Sequence, residues 1–328
     1  MGKQRSNLSI NHSQTTDKQQ PITIFVGTQK EQMLALKVLE YSIRKHTSFA
    51  VRVIPLFQAV AEAQIKIPVP RNPTNRPRTP FSFQRFAIPQ LQGYQGRAIY
   101  LDSDMQVFQD IRQLWEWDFG GADLLAVAEP LNSGRAPQFS VMVLNCERLN
   151  WDAVQLIQEL EAGKWTYEQL VLKMAPASNI YQVLPTFWNE LERYEAGKTA
   201  LTHYTDMPSQ PWLSTQNTFG WLWCQELFEA IRVEFIAKQF LAEEVAKGWV
   251  RPSLWYQLEN NIIDPLELPE SVIKRDSRHF VPPHAVKQPL SRIIHSPHSP
   301  RLIRRFVSQG YLFARYCWQL RRLATSKS

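Results

Sequence analysis

The sequence predicts an α/β fold, and three observations carry that reading. Ile22 to Val26 (ITIFV) is a short, β-branched apolar run of the kind found in buried strands. Gln29 to Lys45 places Leu34, Val38 and Tyr41 beside Leu36, Leu39 and Ile43, a wide apolar face with helical period. Val51 to Ile54 (VRVI) is a second strand. A strand–helix–strand opening indicates an α/β fold.

The remaining elements follow in order. Gly27 and Thr28 end the first strand, and Thr28-x-x-Glu31 fits a capping box at the start of the helix. Lys66 to Pro80 (KIPVPRNPTNRPRTP) is rich in proline and arginine and predicts a loop. It is read as a solvated surface loop, the alternative being a flap that faces an acceptor or a phosphate. Thr79 is placed as an N-cap with Pro80 at the first helical position. The helix from Pro80 to about Ile88 carries Arg85. Ala98–Leu101, Leu124–Ala128 and Val141–Leu144 are three further strands. There is no internal repeat, no GxGxxG and no GxxxxGK[ST], so neither common phosphate-cradling loop is present.

Composition bounds the function classes. The chain has 328 residues, 44% hydrophobic and 20% charged, which is enough to bury a core and excludes disorder throughout. Cys146, Cys224 and Cys317 are far apart with no CxxC, against a disulfide scaffold or a thiolate zinc site. No apolar run approaches the ~20 residues of a spanning helix, and the polar N-terminus lacks a signal-peptide core. A soluble, cytoplasmic protein is expected. The net charge of +7 is concentrated at one end. Residues 291–328 hold eight basic residues and no acidic one, while the rest hold 29 basic and 30 acidic. A basic tail on a neutral body points to an anionic surface.

The chemistry-bearing stretch is Arg97 to Val107, RAIYLDSDMQV. Its apolar strand ends in Asp102-Ser103-Asp104. Carboxylates one residue apart converge on a single divalent cation where the backbone turns, and hard oxygen ligands suit Mg²⁺ or Mn²⁺. The bland alternative is a pair of aspartates that solvate a turn. Haloacid-dehalogenase-like phosphatases also use Asp-x-Asp. They follow it with Thr or Val where this chain has Gln106, and they place it after the first strand of the domain. That reading ranks behind. A second stretch, THYTDMPSQPW from Thr202 to Trp212, offers His203 as a nitrogen ligand, which favours Mn²⁺ over Mg²⁺. His12, His46, His279, His284, His295 and His298 are read as structural or solvent-exposed.

With these residues in place the chain resembles glycosyltransferase family 8. FSFQRFAIPQL followed by GRAIYLDSDMQVF is similar to the family's arginine-bearing helix, hydrophobic strand and DxD. PQFSVMVLNCERL, YEQLVL, LPTFWNEL and HYTDMPSQPW resemble further family segments, in family order, from about Ile22 to Trp212. The resemblance implies a GT-A fold, a Rossmann-like, mixed, mostly parallel sheet flanked by helices, with a nucleotide at the carboxyl ends of its strands. It implies Asp102, Asp104 and His203 as metal ligands, and Arg85 beside the donor's sugar and phosphates. It places Gln169 beside the anomeric carbon, and Val26, Gly27 and Thr28 along the base. Ser103 and Gln210 complete the donor-binding set. It also implies a retaining hexosyltransferase that uses Mn²⁺ (or Mg²⁺) and a UDP-sugar.

The chain departs from the family pattern at several places. Gln210 stands where the family has a phosphate-binding lysine, in a loop one residue longer with Asp206 near the usual glycine. Gln29, Gln138, Ser140 and Glu168 also differ from the family residues. Gln169 is a poor nucleophile, so the resemblance favours front-face attack, with the metal holding the departing phosphate.

These readings divide the chain into a disordered lead at 1–20, a catalytic domain at 21–290, and a basic amphipathic tail at 291–328. The expected partners are a nucleotide-sugar and a glycan or lipid-linked acceptor. The tail suits an anionic membrane surface at the inner face of a membrane, with a packed C-terminal helix as the alternative. Nucleic acid ranks third because no nucleic-acid motif accompanies the charge. The rival function is a non-catalytic relative that binds a nucleotide-sugar or glycan.

Overall fold

The computed structural model describes residues 20–79, 81–129 and 139–286. The expected lead at 1–20, apart from its last residue, lies outside them, as do Gln138 and the basic tail. A six-stranded sheet runs in the order β2-β1-β3-β6-β5-β7. Its strands are β1 (Ile22–Gly27), β2 (Val51–Pro55), β3 (Arg97–Asp102), β5 (Leu124–Val127), β6 (Val141–Asn145) and β7 (Ile180–Leu184). β1 pairs in parallel with β2 and β3, and β5 in parallel with β7. Only β6 runs against its neighbours β3 and β5. The result is the mixed, mostly parallel sheet that was expected. A second, three-stranded sheet has the order β4-β9-β8, formed by β4 (Met105–Val107), β8 (Glu190–Leu191) and β9 (Leu201–His203).

Side-chain alternation along each strand builds two cores, one on each face of the large sheet. Ile24, Ile99, Leu125 and Val143 pack with Leu36, Leu39 and Ile43 of α1 (Met33–His46). Phe25, Tyr100, Leu124 and Met142 face the other way, onto Phe83, Phe86, Leu156 and Leu160. The opposite edge of α1, with Leu34 and Val38, packs on a third cluster around Trp212, Trp223, Leu227 and Leu254. Because both edges of α1 are apolar, the C-terminal helices Gly220–Arg232, Lys238–Lys247 and Ser253–Asn260 fasten onto the same body.

Two local expectations need correction. The capping box at Thr28 does not form. A 3-10 turn at Lys30–Gln32 precedes α1, and its N-cap, Gln29, makes no side-chain cap bond. Thr28 is fully buried at the strand end, and its hydroxyl donates to the Gln29 carbonyl at 3.4 Å. The Thr79 hydroxyl bonds the Ser82 hydroxyl at 2.8 Å, and Pro80, expected at the first helical position, lies outside the described residues. The helix that carries Arg85 is split into Phe81–Gln84, a 3-10 turn at Arg85–Ala87, and Ile88–Leu91. Pro89 has no N–H to give the Arg85 carbonyl, so Ile88 N–H donates there and tightens the turn.

Candidate metal and donor site

The site forms where β1 and β3 end together. Gly27 pairs with Asp102, and Ser103 N–H donates to the Gly27 carbonyl at 3.0 Å. Glycine is required at 27 by close approach: a Cβ there would lie 2.2 Å from the Tyr100 hydroxyl and 2.9 Å from the Phe81 ring. That hydroxyl donates to Asp102 Oδ1 at 2.6 Å. The Arg85 guanidinium lies over the Tyr100 ring at 4.9 Å and donates to the Phe139 carbonyl at 3.2 Å, while its Nε has no hydrogen-bond partner among the described residues. Burial pushes the Asp102 carboxyl above the usual range; Arg85 pulls it down and Asp104 pushes it up. Burial also raises the Tyr100 phenol well above its ordinary value.

One residue further on, the chain passes from the large sheet to the small one. Met105 pairs with His203, which sets Asp104 beside the imidazole. His203 Nε2 lies 3.1 Å from Asp104 Oδ1, and Nδ1 lies 3.0 Å from Asn189 Oδ1. Gln210, 1% exposed, donates its amide to Asp104 Oδ2 at 3.0 Å and to the Tyr204 carbonyl at 2.9 Å. Burial works against a charged His203, yet the bonded Asp104 and nearby Asp102 raise its pKa above the ordinary value.

Asp102, Asp104 and His203 each offer a ligand atom, all within 4.8 Å of one another. The donor set, two carboxylates and an imidazole, suits a divalent cation such as Mn²⁺. The second contact of His203 fits the same use. A ligating histidine donates its other N–H to a fixed oxygen, and Asn189 Oδ1 lies in place to accept from Nδ1, so that Nε2 would be the nitrogen offered to a cation. The residues present therefore fit the cation.

The other sequence candidates fall in different places. Val26, Gly27 and Thr28 are buried at the end of β1, directly beside Asp102. Ser103 is buried, and its hydroxyl donates to Gln32 Oε1 at 3.3 Å. Gln169 is exposed on a π-turn at Glu168–Leu172, with its amide oxygen accepting from Thr166 N–H at 2.9 Å. Its backbone N–H donates to Thr166 Oγ1 at 3.1 Å, so the pair forms a reciprocal cap. No hydrogen bond among the described residues joins Gln169 to the Asp–Asp–His group. Tyr100 and Asn189 carry no role expected from the sequence, although both lie inside quoted motifs, RAIYLDSD and LPTFWN.

Residues 40–167 match the family model described as Glycosyl transferase family 8. "Protein CDI" of Arabidopsis thaliana is 34% identical over 99 residues, which are 30% of this chain and 38% of that protein. Among solved structures, the apo WbbM bifunctional glycosyltransferase aligns with 15% identity and a TM-score of 0.45, over 63% of this chain and 49% of that one. The apo form of glycosyltransferase GlyE in Streptococcus pneumoniae TIGR4 aligns with 18% identity and a TM-score of 0.44, over 63% of this chain and 60% of that one. The chain thus spans less than two thirds of the length of each of these proteins.

Proposed function

We propose that the chain, whose residues 40–167 match the model of glycosyltransferase family 8, is a retaining hexosyltransferase that uses a UDP-sugar and Mn²⁺. The observation that carries the reading is the convergence of Asp102, Asp104 and His203 from two sheets, with the imidazole oriented by Asn189. When bound there, a divalent cation neutralises the donor's diphosphate and stabilises it as a leaving group. Asp102, Asp104 and His203 hold it. Tyr100 fixes the Asp102 carboxylate, and Gln210 fixes that of Asp104. Arg85, with an unpartnered Nε beside this cluster, meets the donor's phosphates and sugar. Val26, Gly27 and Thr28 border the base, and Ser103 holds the turn between the carboxylates. Gln169 stands at the sugar; as an amide it is a poor nucleophile. Retention therefore proceeds by attack from the leaving-group face, and the acceptor's proton passes to the departing phosphate oxygen.

The acceptor in this reading is a glycan or a lipid-linked glycan, and the protein acts in the cytoplasm. Residues 291–328, outside the described residues, would bring their eight basic groups to an anionic membrane surface. Among the described residues no helix is long and apolar enough to cross a membrane. The test of the activity is UDP release from a panel of UDP-sugars with the full chain and Mn²⁺. Mn²⁺-dependent release is expected, with loss in Asp104→Ala.

One observation favours a second reading, a non-catalytic nucleotide-sugar-binding relative. The Gln210 amide is already taken by Asp104 and Tyr204, so no cation stands there to meet a diphosphate. Under that reading nucleotide-sugars raise the melting temperature but are never cleaved.

A further inference from the structure

Behind the site, a buried polar cluster ties the C-terminal helices to the segment that carries Gln210. Its centre is Arg251, 1% exposed. Arg251 Nε donates to the Pro211 carbonyl at 2.8 Å, and its backbone N–H donates to the Trp212 carbonyl at 2.9 Å. The rest of the guanidinium donates to Ser253 Oγ, to Gln257 Oε1 at 2.6 Å and to Cys224 Sγ at 3.6 Å. These acceptors lie in the helix Gly220–Arg232, in the helix Ser253–Asn260 and in the site loop. Among the described residues no ion pair includes Arg251. Its hydrogen bonds go to neutral acceptors fixed in three directions, which fastens the loop, while the Asp276 carboxylate, held by Ser253 N–H at 3.0 Å, acts on its charge from nearby. A buried guanidinium is tolerated when its N–H groups are satisfied in this way.

Pro211 follows Gln210 directly. Both amide hydrogens of Gln210 have partners, Asp104 Oδ2 and the Tyr204 carbonyl. A continuous path therefore runs from Arg251 through the Pro211 carbonyl and the Gln210 amide to Asp104. We propose that Arg251 is a positioning residue for the cation site: by holding Pro211 it presents the Gln210 amide to Asp104 and stops that carboxylate from turning. The inference rests on the reading of Asp102, Asp104 and His203 as cation ligands. A carboxylate held before the cation arrives loses less freedom on binding, so its affinity depends on the residues behind it. Lysine at 251 would keep the charge but lose the planar fork that reaches several acceptors at once.

The test uses the full chain and Mn²⁺ alone, with affinity read by calorimetry and folding by thermal unfolding. Arg251→Lys and Gln210→Ala are each expected to weaken Mn²⁺ binding by roughly tenfold or more. The double variant should bind no more weakly than the weaker single one, because both act along one path. Ser253→Ala, which removes one acceptor from the guanidinium, is the milder probe and should shift affinity in the same direction. Arg148→Gln is the control for a merely structural loss. It breaks a 2.6 Å contact with Asp123, beyond the Arg97 end of β3, and should lower the melting temperature while leaving Mn²⁺ affinity unchanged. Wild-type affinity in folded Arg251→Lys and Ser253→Ala, or additive losses in the double variant, would overturn the proposal. Equal Mn²⁺ binding by the wild type and Asp104→Asn, or none by either, removes the cation site itself and the inference with it. That failure shows without any Arg251 variant.

Discussion

Asp104 and His203 are bonded where β4 begins and β9 ends, with Nε2 3.1 Å from Oδ1. The ladder continues past them, since Tyr204 N–H donates to the Asp104 carbonyl at 2.8 Å. The backbone therefore sets the carboxylate–imidazole spacing, and a side-chain change at either residue leaves the ladder intact. Asp104→Ala should stay folded, lose the Mn²⁺-induced rise in melting temperature, and cut Mn²⁺-dependent turnover by roughly 100-fold or more. Turnover at the wild-type level would reject the ligand assignment.

Asn189 should matter without touching the cation. Its Oδ1, 3.0 Å from Nδ1 of His203, is placed to accept an Nδ1–H and so to reserve Nε2 for a cation. Asn189→Ala should weaken Mn²⁺ binding by about 10–100-fold. Asn189→Asp keeps an acceptor oxygen and should bind more tightly than Asn189→Ala. The comparison is a Mn²⁺ titration of the two variants.

Gly27 and Tyr100 should be energetically coupled. Gly27→Ala drives a methyl into the Tyr100 hydroxyl and should cost about 1–3 kcal/mol of stability, measured by urea denaturation. It also displaces the bond to Asp102, so Mn²⁺ affinity should fall. Tyr100→Phe removes the nearest obstructing atom, and the double variant should be destabilised by less than the sum of the two single losses. Strict additivity would count against the close-approach argument.

Asp123 supplies a pH-dependent part of stability. Burial alone would raise its carboxyl, but Arg148 and the Asn179 and Ser178 N–H groups hold it below the usual carboxylate range. A depressed folded pKa gives stability that is present above the unfolded value of about 4 and is lost as pH falls through the folded one. Asp123→Asn should cost about 1–3 kcal/mol at pH 7. The gap to the wild type should narrow in urea titrations carried progressively further below pH 4. A gap that widens on acidification would contradict the sign.

Gln169 has two possible jobs, and a pair of variants separates them. If it serves the sugar, Gln169→Ala should lower turnover substantially while nucleotide binding stays near wild type. If its only work is the reciprocal cap with Thr166, Thr166→Ala should lower turnover as much. Matching losses in kcat would withdraw the assignment.

Five of the six strands of the large sheet were legible in the sequence because they carry apolar runs, whereas β7, with Tyr181, Gln182 and Val183 exposed, carries none and was not read. The DxD stood out because its two carboxylates end an apolar strand, although the pair alone reads as well as a solvated turn. Three-residue strands such as β4 and β9 carry too few positions to show a period, so the small sheet that joins Asp104 to His203 was not read. Tyr100 looked like one more core residue, since alternation predicts its burial but not where its hydroxyl ends. Gln210 read as a missing charge, because a sequence shows what a residue lacks more readily than which partner it holds. The Thr28 capping box failed because its signature takes no account of a threonine buried at the end of a strand.

Only Ser103 separates the last residue of the large sheet from the carboxylate that leads into the small one, yet His203, the third residue of the candidate site, arrives 99 residues after Asp104. The segment at 40–167 holds both aspartates but neither the glycine that makes room beside them nor the imidazole that faces them. Cut out alone, it would carry the family's signature and an unfinished socket. In the proposed reading, capacity for the cation would belong to the assembled chain, because His203 meets Asp104 only where β9 pairs with β4, and Mn²⁺ affinity would report that this pairing is intact.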